Sequence, residues 1–147
     1  MKHILLFVFF AMALHAEILL QSNFKSGLQN WNTPNYWNGE LQHAEGVMHM
    51  KSTERNGKNF ARVLNSCKQL DWGGQWLKVS VQARGRGDLR PGLIKYFPDS
   101  EGKINYKAIQ YEFSEPAFVL TDVLQSFEYL FKLGEDVPIG IAPILQL

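Results

Sequence analysis

Few residues in this chain have side chains able to do chemistry, and their types limit what it can be. Fourteen Asp and Glu among 147 residues make some pair at glycosidase separation unavoidable, so the pairing alone carries no information. Glu112 and Glu128 fall at outward positions of two alternating runs, and nothing in the sequence joins them in one cleft. The chain contains no Gly-x-Ser-x-Gly elbow, no His-Glu-x-x-His and no glycine-rich phosphate loop. It is read as non-enzymatic. Beyond residue 16 the histidines are His43 and His49, on either side of Ala44-Glu45-Gly46, where a solvated hairpin accounts for both. Cys67 is the single cysteine, which excludes an internal disulfide and a cysteine-based zinc site. Its place between Ser66 and Lys68 fits a small buried filler.

Flat aromatic rings in polar surroundings are the remaining chemistry. Tyr36 and Trp37 lie within Asn32-Thr33-Pro34-Asn35-Tyr36-Trp37-Asn38-Gly39, and Trp72 precedes Gly73-Gly74. Such rings stack on the apolar C–H face of a sugar, while amides, acids and arginines grip its hydroxyl edge. Gln82 and Arg84 project from the polar side of one alternating run, Glu128 and Lys132 from that of another. If the two runs are neighbours, these four share a face. The competing reading makes the tryptophans covers for the ends of the fold and the polar residues an ordinary solvated surface.

These residues must be positioned by strands. Leu77, Val79, Val81 and Ala83 alternate with Lys78, Ser80, Gln82 and Arg84, a period of two with one buried face. Phe127, Tyr129, Phe131 and Leu133 alternate with Glu128, Leu130 and Lys132, and Ile109, Tyr111 and Phe113 with Gln110 and Glu112. Ile94 and Tyr96 flank Lys95, and Met48 and Met50 flank His49. Turn signals separate the runs, among them Glu45-Gly46, Asn56-Gly57, Gly85-Arg86-Gly87 and Asp99-Ser100-Glu101-Gly102. Helical spacing is weak beyond residue 16, and Leu120 to Leu130 is better satisfied by a strand starting near Ser126. The pattern predicts an all-β, antiparallel sandwich or barrel.

Three segments resemble a known family. Asn23-Phe24-Lys25-Ser26-Gly27-Leu28-Gln29-Asn30-Trp31 is similar to the opening of carbohydrate-binding-module-like domains of the galactose-binding-like jelly-roll superfamily. Trp76-Leu77-Lys78-Val79-Ser80-Val81-Gln82-Ala83-Arg84-Gly85 resembles their central strand. Leu120-Thr121-Asp122-Val123-Leu124-Gln125-Ser126-Phe127-Glu128-Tyr129-Leu130-Phe131 resembles their late turn and aromatic strand, with Leu124 where a tryptophan is usual. The resemblance implies a jelly-roll β-sandwich, places Trp31 in its core and makes the strands bearing Gln82 and Glu128 neighbours. It implies carbohydrate binding by stacking on Trp37, with Tyr36 or Trp72, and by hydrogen bonds from Gln82, Arg84 and Glu128. Family members carry a further strand with an Asp-rich turn, and this chain stops at Ile144-Leu145-Gln146-Leu147, before its place. Either the sandwich closes differently or one edge is left open and apolar. The missing Asp-rich turn leaves the family's structural calcium without support, and no cofactor is expected.

Charge and the first residues complete the expectations. The chain carries 15 Lys and Arg against 14 Asp and Glu. Met1-Lys2-His3, the apolar Ile4–Leu14 run and the small residues of Ala11-Met12-Ala13 and Leu14-His15-Ala16 form the pattern of a secretory signal over residues 1–16. That apolar run is too short for a bilayer span, which takes about 20 residues. The alternative is an uncleaved anchor or a buried strand. Removing residues 1–16 leaves equal numbers of basic and acidic residues in 17–147, with no global field to draw in nucleic acid or an anionic membrane. The expectation is one exported domain, extracellular or periplasmic, whose partner is a polysaccharide or glycan. The alternative is a structural or protein-interaction jelly roll without a sugar site, as the N-terminal fragment of a larger secreted protein.

Overall fold

A computed structural model describes residues 20–34, 38–55, 58–69, 76–133 and 138–147. Those residues form twelve strands and no helix: β1 (Glu40–Ala44), β2 (Val47–Lys51), β3 (Thr53–Arg55), β4 (Lys58–Phe60), β5 (Arg62–Leu64), β6 (Lys68–Gln69), β7 (Trp76–Ala83), β8 (Asp88–Pro98), β9 (Ile104–Phe113), β10 (Phe118–Val119), β11 (Gln125–Lys132) and β12 (Gly140–Gln146). Every pairing is antiparallel. The protein is an all-β sandwich.

The main sheet has β8 and β12 at its centre, with β9 and β10 beside β8 and with β5 and β6 beside β12. Both central strands contain proline, which cannot donate to a ladder. Each proline sits where a flanking strand is broken. Pro143 turns its backbone toward the gap between β5 and β6, where its carbonyl accepts from Asn65 N at 3.1 Å. Pro91 faces the gap between β9 and β10, where its carbonyl accepts from Ser114 N at 2.8 Å. The missing N–H therefore costs no bond in either strand.

The second layer is the ribbon of β7 and β11, paired from Gln125↔Ala83 to Lys132↔Trp76. Its inner face is the one the alternation predicted. Leu77, Val79 and Tyr129 pack on Leu93, Phe131, Leu133 and Ile141. Val81, Ala83 and Phe127 pack with Trp31, Val63, Leu89 and Leu145, where Leu41, Met48 and Met50 of the β1–β2 hairpin also arrive. Phe118 stacks on Phe127 at 4.8 Å between centroids, and Tyr129 meets Phe131 at 4.7 Å. Phe131 is fully buried, and burial of a side chain that size contributes about 1.5–3 kcal/mol. Trp31 is in the core as expected, and its indole N–H donates to Ser22 Oγ at 3.0 Å.

The main sheet is apolar on its other face as well. Ile94, Ala142 and Ile144 are buried there among Leu64, Cys67, Tyr96, Ile109 and Phe113. A Cβ on Gly92 would lie 2.6 Å from the Phe113 ring, so glycine lets that ring fold down onto the sheet. Arg62 closes over it from β5, its guanidinium 5.3 Å from the ring centroid and its Nε donating to Gln146 Oε1 at 2.7 Å. The alternation of Ile94 and Tyr96 with Lys95, and of Ile109 and Phe113 with Glu112, is present with its faces reversed relative to the ribbon. The apolar members point away from β7 and β11, and Lys95 and Glu112 point toward that layer.

The final strand is not an open edge but is paired on both sides. β12 lies inside the main sheet, pairing β8 along Gly140–Gln146. The β1–β2 hairpin turns on Glu45 and Gly46 with φ of 53° and 72°, the paired positive values of a tight two-residue connection.

Candidate functional site

β7 and β11 each send alternate side chains outward, and their register sets them in rungs about 7 Å apart. From one end the rungs are Trp76 with Lys132, Lys78 with Leu130, Ser80 with Glu128 and Gln82 with Ser126. Arg84 follows directly after Gln82 on the same parity and is exposed. The sequence reading that Gln82, Arg84, Glu128 and Lys132 project from neighbouring strands therefore matches the observed register.

Side chains bind one another along the middle of this face. Glu128 Oε1 accepts from Lys78 Nζ at 3.3 Å and from Ser80 Oγ at 3.1 Å. Those two donors, with the Lys78 charge, hold the Glu128 carboxyl below its ordinary value. Gln82 Nε2 donates to Ser126 Oγ at 3.4 Å. The ends are less engaged. Among the described residues no hydrogen bond or ion pair falls on the Trp76 indole N–H, the Lys132 ammonium or the Arg84 guanidinium. Trp76 is 54% exposed and Leu130 is 58% exposed, diagonally placed on adjacent rungs at one end of the ribbon.

Trp76 is the residue that sequence reading missed. It heads the family-like strand, yet its parity is that of Lys78, Ser80 and Gln82, and that parity alone places it outward. Tyr36, Trp37 and Trp72, the rings expected to stack, lie outside the described residues. A second exposed ring, Tyr106 on β9, is held edge-on by Tyr96 at 5.6 Å.

Other sequence-marked groups are engaged elsewhere. Glu112 is corrected: it does not face outward but toward the layer between the sheets, where it meets Lys95 Nζ at 2.5 Å. Lys95, 7% exposed, also donates to the Lys132 carbonyl and so ties the main sheet to the ribbon. Glu112 and Glu128 thus belong to different faces and form no acid–base pair. His43 Nε2 lies 2.6 Å from the Phe24 carbonyl. Asp99 spends its carboxylate on the backbone N–H groups of Glu101 and Lys103, both at 2.9 Å, as an ordinary turn does. Among the described residues no group of three His, Cys, Asp or Glu is placed to hold a metal. Cys67 Sγ lies against the Gly140 backbone, and burial pushes its thiol up. No family model, curated protein or solved structure matches the chain.

Proposed function

We propose that this chain is an exported, non-catalytic carbohydrate-binding domain of jelly-roll type, and that the outward face of β7 and β11 is its binding surface. One observation carries the reading: Trp76 offers a half-exposed, unbonded indole on an outward ribbon face whose further rungs, Ser80 with Glu128 and Gln82 with Ser126, are polar. A pyranose needs that combination, because its C–H face is apolar and its rim is hydroxyl. Trp76 takes the stacking role, while Ser80, Gln82, Glu128 and Arg84 offer donors and acceptors along the chain of sugars. Tyr36, Trp37 and Trp72 remain part of the proposal on the sequence argument given for them. The signal pattern of residues 1–16 supports export, and intact-mass measurement of the exported protein tests it.

The test is calorimetry against a polysaccharide panel together with a thermal melt on the same proteins. Trp76→Ala is expected to weaken binding by about 1–3 kcal/mol, by analogy with aromatic stacking on other flat ligands. Because the ring is half in water, its loss should leave Tm within a few degrees. A panel on which the unmutated protein binds nothing at millimolar concentration overturns the reading. It would favour a protein-interaction domain, which the exposed Val119, Val123 and Leu124 at the far end of the sandwich independently support.

A further inference from the structure

The charge on the ribbon is unlike that of the chain that carries it. The whole chain is close to neutral, with 15 basic and 14 acidic residues. The outward positions of β7 and β11, with Arg84, carry Lys78, Lys132 and Arg84 against the single carboxylate of Glu128. That carboxylate is already committed to Lys78. At the Arg84 end, Gly85 N donates to the Thr121 carbonyl, and Asp122 follows in that turn. At the Trp76 end, among the described residues, no acid pairs with the Lys132 ammonium, whose residue lies directly across from Trp76. Opposed positions of an antiparallel pair hold their Cβ atoms about 5 Å apart, so ring and ammonium can address one sugar residue together.

Resting on the carbohydrate reading above, we infer that the polymer this face takes is acidic, with a carboxylate or sulfate on its sugar rings. The indole of Trp76 covers the apolar face of one ring while Lys132 pairs with the anionic substituent at that ring's edge. Leu130, beside Lys132 on the same strand, excludes water from one side of that pair, which strengthens it over a fully hydrated contact. Lys78 serves the neighbouring sugar at the cost of its bond to Glu128. A neutral glycan would stack equally well and leave Lys132 unused.

Two matched pairs of polymers test this, each with one backbone and two charges. Polygalacturonate is compared with its methyl ester, and dextran sulfate with dextran, by calorimetry at low and raised salt. The acidic member of at least one pair should bind about tenfold tighter than its neutral twin, weakening as salt screens the pair. Lys132→Gln should reduce acidic-polymer affinity about three- to fivefold, the size of an exposed ion pair, and leave neutral-polymer affinity and Tm unchanged. Lys103→Gln, in the distant Asp99 turn, should change neither. Equal affinity for acidic and neutral twins overturns the inference and leaves carbohydrate binding standing. Polyglutamate or a poly-dT oligonucleotide binding as tightly as the acidic polysaccharides also overturns it, because then charge alone is read. If none of the four binds while a neutral glycan of the wider panel does, the inference falls and carbohydrate binding stands; if nothing on the panel binds, the carbohydrate reading itself fails.

Discussion

Glu128 carries the most connected side chain on the outer face of the ribbon, and its proton reports on that face. The Lys78 and Ser80 donors favour the ionised carboxylate, so its pKa lies below the ordinary value. The sign follows: the bonds are complete above the usual carboxylate range and are lost as pH falls through the lowered value. Lys78→Met removes the first and largest of these causes and should raise the Glu128 pKa toward the free value, read from its side-chain carboxyl carbon by NMR. An unmoved titration curve would mean that Lys78 and Glu128 do not bond in solution. At this scale the sequence was partly legible. The outward parity of Gln82, Arg84 and Glu128 is legible because exposure follows parity on a strand whose other face is apolar. Trp76 has that parity too, but an aromatic at the head of an apolar run reads as core unless parity is applied to it strictly. Glu112 failed for the converse reason. Its run has the expected period, but period does not say which face of a sheet the partner layer covers.

Neighbours in sequence on β11 should differ sharply in what they hold up. Phe131 is fully buried between the layers, while Leu130 is 58% exposed on the outer face. Phe131→Ala is expected to cost about 3–5 kcal/mol in urea unfolding, the transfer loss plus a cavity. Leu130→Ala should stay within about 0.5 kcal/mol, as surface changes do. Similar losses at both positions would mean that the outer face of the ribbon is covered. The ribbon was the most legible element for the same physical reason: eight-residue strands with one wet face alternate cleanly. β8 and β12 were the least legible. Buried on both faces, the adjacent pairs Leu93, Ile94 and Ile141, Ala142 interrupt the period that Ile94, Lys95 and Tyr96 show, and Pro91 and Pro143 argue against central strands until the breaks in their neighbours are known.

The whole molecule hangs on those two central strands, because they carry one apolar cluster on each face. Leu93 and Ile141 face the ribbon, and Ile94, Ala142 and Ile144 face the side closed by Phe113 and Leu64. The two clusters share a backbone and cannot be lost separately without stripping bonds from β8 and β12. Thermal unfolding should therefore be one transition, the same by far-ultraviolet circular dichroism and by tryptophan fluorescence. Ile144→Ala, in the cluster away from the ribbon, is expected to cost about 2–5 kcal/mol and to lower that single transition. Phe131→Ala, in the other cluster, should lower the same one. Their effects should add within about 0.5 kcal/mol, since they remove atoms from opposite faces of the sheet and share no packing partner. An early, separate transition in either variant would show that one layer folds without the other. The outer face of β7 and β11 would then be a property of the ribbon alone, standing when the main sheet is lost.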